Sequence, residues 1–342
     1  MTALPRDTLG RRLKDLRVSV TDRCNFRCRY CMPREVFGPD FAFLERRELL
    51  TFEEITRVVT QAATLGVRSV RLTGGEPLLR RGLPDLVAMI AAVPGIEDVA
   101  ITTNGVLLPR YATDLATAGL SRATVSLDAV DDAIHRAVAD VDVPVGAVLA
   151  GVDAAVAAGL GPVKINAVLR RGVNDNQVEP LAQWARERGV TMRFIEFMDV
   201  GTTNQWRRDE VVPSAEVVAR INARWPLEPV DPADPSEVAR RHRYLDGGGE
   251  IGVIASVTAP FCQDCTRARV TSIGELFTCL FATTGTDLRG LLRGDATDDE
   301  LREALSGRWQ TRNDRYSEER GELPLAARTS GDGPAEMSYL GG

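Results

Sequence analysis

Lysine and histidine are nearly absent from this chain of 342 residues. Among its 42 basic side chains only Lys14 and Lys164 are lysines, and His135 and His242 are the two histidines. A closed zinc centre completes itself with a further Cys or His, so a three-cysteine site here has little from which to draw a fourth ligand. Excess positive charge is missing too. Forty-eight acidic residues leave a formal net charge of −6, which excludes a broad nucleic-acid-binding face but not a local basic pocket. Long apolar runs are lacking as well. The least polar stretch, residues 143–160, contains Pro144, Gly146 and Asp153 and reads as a buried amphipathic helix, not a membrane span. The first ten residues show no basic region followed by an apolar one. The expectation is a soluble, cytoplasmic protein that binds neither membrane nor nucleic acid. The preference for Arg over Lys is read as base composition, since the chain is also rich in Ala and Val.

What is present suffices for a large core: 44% of residues are hydrophobic and 26% charged. The length suits two domains, or one barrel with an appendage. From residue 16 to 198 a single rhythm repeats. Short β-branched runs at 16–21, 69–73, 99–103, 123–127, 163–168 and 192–197 alternate with helical periodicity at 52–65, 83–93, 111–118 and 180–188. Thr51 with Glu54 three residues on predicts the capped start of the first helix. Such βαβ units make a parallel sheet, either doubly wound or a partial barrel, with chemistry at the carboxyl ends of the strands. Those ends carry Thr73-Gly74-Gly75-Glu76, Thr102-Thr103-Asn104, Ser126-Leu127-Asp128, and Glu196 with Met198. Lys164 and Asn166 lie inside a strand, where packing alone does not explain them. After Trp225 the composition shifts. Pro226, Pro229, Pro232 and Pro235 predict a linker or irregular surface segment, followed by short strands at 243–245, 251–254, 269–273 and 276–280. A polar stretch at 306–336 is expected to be extended and in part mobile. The division drawn from this is residues 1–225 and 226–342.

The six cysteines form two groups of three. Cys24, Cys28 and Cys31 follow the first strand with spacing C-x3-C-x2-C, so one loop can wrap one inorganic centre. Three thiolates suit zinc or an iron–sulfur cluster; on a four-iron cluster they leave one iron free for a small molecule. Cys262 and Cys265, in C-x2-C, are joined by Cys279. A lone C-x2-C in a small β domain is most often a zinc staple. Here Arg267 and Arg269 alternate on one face of the following strand, which suits an anionic, phosphate-bearing ligand.

The first triad, with Tyr30 before its last cysteine, together with Leu72-Thr73-Gly74-Gly75-Glu76-Pro77, resembles the radical S-adenosylmethionine (SAM) superfamily. The second triad, C-x2-C-x-R-x-R and the terminal Gly341-Gly342 narrow the resemblance to that superfamily's GTP-cyclising family of molybdenum-cofactor biosynthesis. Thr266 and Ile273-Gly274 depart from the family's usual residues at their positions. The resemblance implies an α/β fold, a partial (β/α)6 TIM-type barrel with a smaller C-terminal α+β domain carrying a second cluster. It implies two [4Fe-4S] clusters, one on Cys24, Cys28 and Cys31 and one on Cys262, Cys265 and Cys279. SAM would bind the first cluster's open iron beside Tyr30, Gly75, Ser126 and Met198. Its reductive cleavage would give methionine and a 5′-deoxyadenosyl radical. The guanine of GTP would meet the second cluster, with Arg17, Arg71, Thr102, Lys164, Arg267, Arg269 and the backbone of Ala268 around the nucleotide. Hydrogen abstraction from ribose C3′ and attack on guanine C8 would follow, with Gly341 and Gly342 of the tail reaching the active site. The resemblance also implies an external electron donor of flavodoxin or ferredoxin type; a homodimer is compatible with this reading. Two other readings stand beside it: a two-cluster enzyme of the same superfamily acting on a peptide, and a zinc-stapled binding module without radical chemistry.

Overall fold

The computed structural model describes residues 4–320 and 335–341. Its architecture follows from an alternation in β1 (Asp15–Ser19), β2 (Ser69–Thr73), β3 (Asp98–Thr103), β4 (Arg122–Ser126), β5 (Lys164–Leu169) and β6 (Thr191–Glu196). Leu16, Val18, Val70, Leu72, Val125, Ile165, Met192 and Phe194 are buried in one core with the helices. The residues between them, Arg17, Arg71, Thr124, Lys164, Asn166 and Arg193, take the opposite face. A parallel strand covered on both sides reads as a continuous apolar run. Polar alternation in six successive strands therefore leaves the concave face of this sheet unpacked.

The six strands lie side by side, all parallel. Crossing between them are α1 (Phe52–Thr64), α2 (Leu83–Ala91), α3 (Leu108–Thr117), α4 (Asp132–Ala139), α5 (Val145–Ala157) and α6 (Val178–Arg188). The capping box is formed at the head of α1: the Glu54 amide donates to Thr51 Oγ1 (3.1 Å) and the Thr51 amide to the Glu54 carboxylate (2.7 Å). Helix α5 buries Val148, Val152 and Ala155, as the 143–160 stretch predicts. Among the described residues no helix is long and apolar enough to cross a membrane.

Beyond β6 and α7 (Ser214–Arg224), the chain extends the same sheet at both edges. β7 (Leu227–Val230), β8 (Arg240–Tyr244) and β9 (Glu250–Ile254) form an antiparallel run whose last strand lies parallel beside β6. β10 (Arg267–Val270) returns to pair in parallel with β1, and β11 (Glu275–Phe277) and β12 (Thr286–Asp287) continue outward. The result is one twelve-stranded sheet, β12-β11-β10-β1-β2-β3-β4-β5-β6-β9-β8-β7, shared by residues before and after 226. Helices α8 (Arg289–Arg293), α9 (Asp298–Gln310), α10 (Tyr316–Glu319) and α11 (Met337–Leu340) complete the chain.

Three local expectations are corrected. The proline-marked segment contains β7, and its Pro229 is tolerated because β7 is the sheet's terminal strand, where a missing N–H breaks no central ladder. Residues 306–310 are not extended. They end α9, which buries Leu301, Leu305 and Trp309 at helical spacing beneath an otherwise polar surface. Residues 316–319 are also helical, while 321–334 lie outside the described residues. The strand expected at 243–245 starts at Arg240 and stops before Leu245, which is exposed in a turn.

Candidate active site

The unpacked concave face borders a cavity of about 700 Å³ lined by all six cysteines, none of them in a disulfide. At one end the loop after β1 carries Cys24, Cys28 and Cys31. Arg27 braces it from outside, its Nη1 donating to the carbonyls of Cys24 (2.8 Å) and Phe26 (2.8 Å) and its Nε to that of Phe37 (2.7 Å). The turn after β2 presses against this loop. A Cβ on Gly75 would collide with the Arg23 carbonyl, so glycine is required for the two segments to meet. Beside it Glu76 is buried and accepts from Thr103 Oγ1 (2.7 Å), the Leu78 amide (3.0 Å) and the Asn104 amide (2.8 Å). Burial outweighs these hydrogen bonds and pushes its pKa up to about 7. Tyr30 donates to Asp128 (2.9 Å), whose other oxygen accepts from the Val168 amide (2.8 Å); burial raises Asp128 to about 6. Gly75, Ser126, Met198 and Tyr30 all line the cavity.

The rest of the wall is cationic. Strand register places Arg269 of β10, Arg17 of β1 and Arg71 of β2 in one row on three adjacent strands. Arg71 donates to Thr124 Oγ1 (3.1 Å) and Thr102 Oγ1 (3.3 Å), and Arg193 to Asn166 Oδ1 (2.9 Å). Among the described residues none of Arg17, Arg71, Lys164, Arg193, Arg267 and Arg269 has an ion pair with a carboxylate. Burial, then mutual repulsion, lowers the proton affinity of five of them, Arg17 well below its usual range, Lys164 to about 8 and Arg193 to about 9, whereas the Cys265 thiol beside Arg267 raises that guanidinium. Buried unpaired cations are costly. Their convergence on one cavity is the signature of a polyanion site.

Cys262, Cys265 and Cys279 close this second end. Cys262 and Cys265 lie at a short turn before β10 and Cys279 just past β11. Arg267 points its Nη2 at Cys265 Sγ (3.6 Å). Burial alone would raise the Cys265 thiol, but Arg267 and Arg312 outweigh it and hold it at about 6. Burial raises Cys24 and Cys279 each to about 11. Each triad supplies three thiols from one compact neighbourhood. Among the described residues no three Cys, His, Asp or Glu side chains converge on a point suited to a single metal ion. Three thiols with an open side toward the cavity fit a four-iron cluster with one exchangeable position.

Seventeen of the nineteen site residues named from sequence can be judged against this cavity as lining or bordering it. Ala268 is one that differs: alternation along β10 turns it away from Arg267 and Arg269 into the core beside Leu16, and it does not line the cavity. Gly341 is buried against Thr73, a lining residue, and Ser19; a Cβ there would collide with the Thr73 side chain. Gly342 lies outside the described residues. Sequence reasoning missed Arg193, Arg122, Arg241 and Arg312, all on the cavity wall, and named Asp128 only as part of a polar strand end. The signal was available for Arg193, since Met192-Arg193-Phe194 repeats the apolar–Arg–apolar phase of Val70-Arg71-Leu72.

Comparison with known proteins agrees with this geometry. A profile described as Radical SAM superfamily matches residues 18–185, and one described as Molybdenum Cofactor Synthesis C matches residues 190–318. A GTP 3′,8-cyclase of Acidothermus cellulolyticus is 56% identical over 362 residues, covering 100% of both chains. One of Staphylococcus haemolyticus is 46% identical over 343 residues, again covering 100% of both. Among solved structures, Streptococcus suis SuiB bound to S-adenosylmethionine superposes with a TM-score of 0.60 at 15% identity, covering 86% of this chain and 68% of that one; at this identity the likeness is one of fold.

Proposed function

The chain belongs to the GTP 3′,8-cyclase family of the radical SAM superfamily, and from that premise we propose that its cavity binds SAM at one end and GTP at the other and joins ribose C3′ to guanine C8. The product is (8S)-3′,8-cyclo-7,8-dihydroguanosine 5′-triphosphate, and the step opens molybdenum-cofactor biosynthesis. A single observation carries the reading: two three-cysteine triads and a row of unpaired cations share one cavity. The full-length likeness to GTP 3′,8-cyclases, with six cations suited to a triphosphate, favours this over the peptide-modifying alternative.

Cys24, Cys28 and Cys31 would hold one [4Fe-4S] cluster with SAM, and Cys262, Cys265 and Cys279 the other. Together these groups supply the one-electron chemistry that activates the C3′–H bond. The protein's share is position and exclusion of water. Tyr30, fixed by Asp128, and Met198 flank the adenosyl site, while Gly75 and Ser126 border the methionyl end and ribose. Arg17, Arg71, Lys164, Arg267 and Arg269, with Thr102, take the triphosphate, and Arg193 joins them by position; Ala268, its side chain in the core, would offer its backbone. The tail brings Gly341 against Thr73, a residue of the cavity wall. Residues 1–225 supply the SAM end and residues 226–342 the second triad.

The electron comes from an external donor of flavodoxin or ferredoxin type. The chain works in the cytoplasm, and we carry the homodimer forward as its assembly state, which light scattering of the purified protein tests. The decisive experiment is anaerobic reconstitution followed by SAM cleavage assays with GTP, ATP and no nucleotide. Formation of 5′-deoxyadenosine together with a cyclised guanosine triphosphate, dependent on GTP, is expected. A colourless zinc protein, or cleavage indifferent to GTP, would refute the reading.

A further inference from the structure

A buried network of charges stands behind the second triad and reaches the cavity wall at Arg312 and Asp314. Asp7 and Arg11 of the N-terminal segment pair at 2.5 Å, with side-chain exposures of 0% and 2%. Asp7 also accepts from the amides of Leu9 (3.0 Å) and Arg11 (2.8 Å) and faces Arg312 Nη1 at 3.5 Å. Arg11 reaches the Cys262 carbonyl with Nη1 (2.7 Å), and Arg312 reaches the Cys265 carbonyl with its own Nη1 (2.7 Å). Asp314 completes the set. Its backbone carbonyl accepts from Arg11 (2.9 Å), and its carboxylate accepts from Thr278 (2.6 Å), the residue before Cys279, and faces Arg312 Nε at 3.4 Å. Each of the three cysteines is thus tied, through its own carbonyl or its immediate neighbour, to one network. Trp309 lies under it, its indole donating to the Arg11 carbonyl (3.1 Å) and its ring beneath the Arg312 guanidinium.

We propose that Asp7, Arg11, Arg312 and Asp314 are positioning residues that clamp the backbone of Cys262, Cys265 and Cys279, so that the N-terminal segment determines whether the second cluster is held. The physical case is one of geometry. Buried ion pairs add little net stability against apolar packing, and their best-attested use is to fix register. The sheet ladder does not fix these cysteines directly, because Cys262 opens a three-residue turn that Cys265 follows and Cys279 lies outside any strand or helix. A guanidinium with one arm on a carboxylate and another on a cysteine carbonyl fixes the loop in two directions at once. The first triad, beyond the carboxyl end of β1, has its own brace in Arg27.

The inference rests on the two-cluster reading, and the test separates them. The full chain and its Asp7→Ala variant are reconstituted anaerobically and assayed for iron and sulfide. Their reduced clusters are followed by electron paramagnetic resonance with SAM or GTP added. Wild type should hold about eight irons, two four-iron clusters, with a response to each ligand. Asp7→Ala should fall to about four irons, keep the response to SAM and lose the response to GTP. An Asp7→Ala protein with both clusters and both responses, or one that loses the two clusters together, would overturn the clamp. Wild type with only four irons would instead refute the two-cluster reading beneath it. Asp7→Asn keeps the side chain's size and its bonds to the Leu9 and Arg11 amides. It serves the same test where Asp7→Ala is insoluble.

Discussion

At the scale of single residues, Glu76 shows how a strand end can make a carboxylate titrate near pH 7. It is about 1% exposed, and burial lifts its pKa from an ordinary 4.5 to about 7 despite three hydrogen bonds. Between these two values the folded chain holds a proton that the unfolded chain has released. The stability linked to Glu76 is therefore fully present below about pH 4.5 and lost as pH rises through 7. The gap corresponds to about 3 kcal/mol. We predict that the cluster-free protein loses roughly that much stability toward urea between pH 5 and 8, beyond whatever the Glu76→Gln variant loses over the same range. Parallel pH profiles for the two proteins would contradict the assignment. In the sequence Glu76 could be read only as the last letter of a Gly-Gly-Glu turn. Two of its three partners, Thr103 and Asn104, sit at the end of the next strand and become neighbours only when the sheet forms.

Elements were legible where the signal is local. The six parallel strands, the Thr51 cap and helix α5 follow from periodicity within a dozen residues. The placement of β9 and β10 at opposite edges of the barrel was not, because strand adjacency is a long-range property that two short β runs do not encode. Ala268 shows a related limit: position in a motif does not say which face of the strand a side chain takes, and this one faces the core. The C-terminal element tests the same logic. Helix α11 is held by Glu336, which accepts from the Thr202 amide (2.8 Å) and the hydroxyls of Thr202 (2.8 Å) and Thr203 (2.7 Å), and Leu340 is fully buried. These contacts stop short of the last two residues. Deleting Gly341 and Gly342 should leave the helix docked and both clusters in place, yet suppress the cyclised product relative to 5′-deoxyadenosine formed. Product and 5′-deoxyadenosine in the wild-type ratio would show that the tail has no part in the reaction.

For the whole molecule, the net charge of −6 and the cavity wall stand in opposition. The acidic surface repels polyanions in general, whereas the wall gathers six cations that no carboxylate neutralises among the described residues. Lys164, one of two lysines in the chain, belongs to that wall, so the bias toward Arg has a local exception with a physical reason. Mutual repulsion among these groups strains the empty protein, and any anion that bridges them must stabilise the fold by linkage. The consequence can be tested without clusters, SAM or a nucleobase. Inorganic tripolyphosphate at a hundred times its Kd should stabilise the cluster-free chain by about 2.7 kcal/mol, visible as a rise in Tm that weakens with added salt. Arg269→Ala, which removes one charge-assisted contact, should weaken binding by roughly 1.5–3 kcal/mol and move the Tm response to correspondingly higher concentration. If GTP raises Tm and tripolyphosphate does not, recognition runs through the base alone, and the row of Arg269, Arg17 and Arg71 does not bind phosphate.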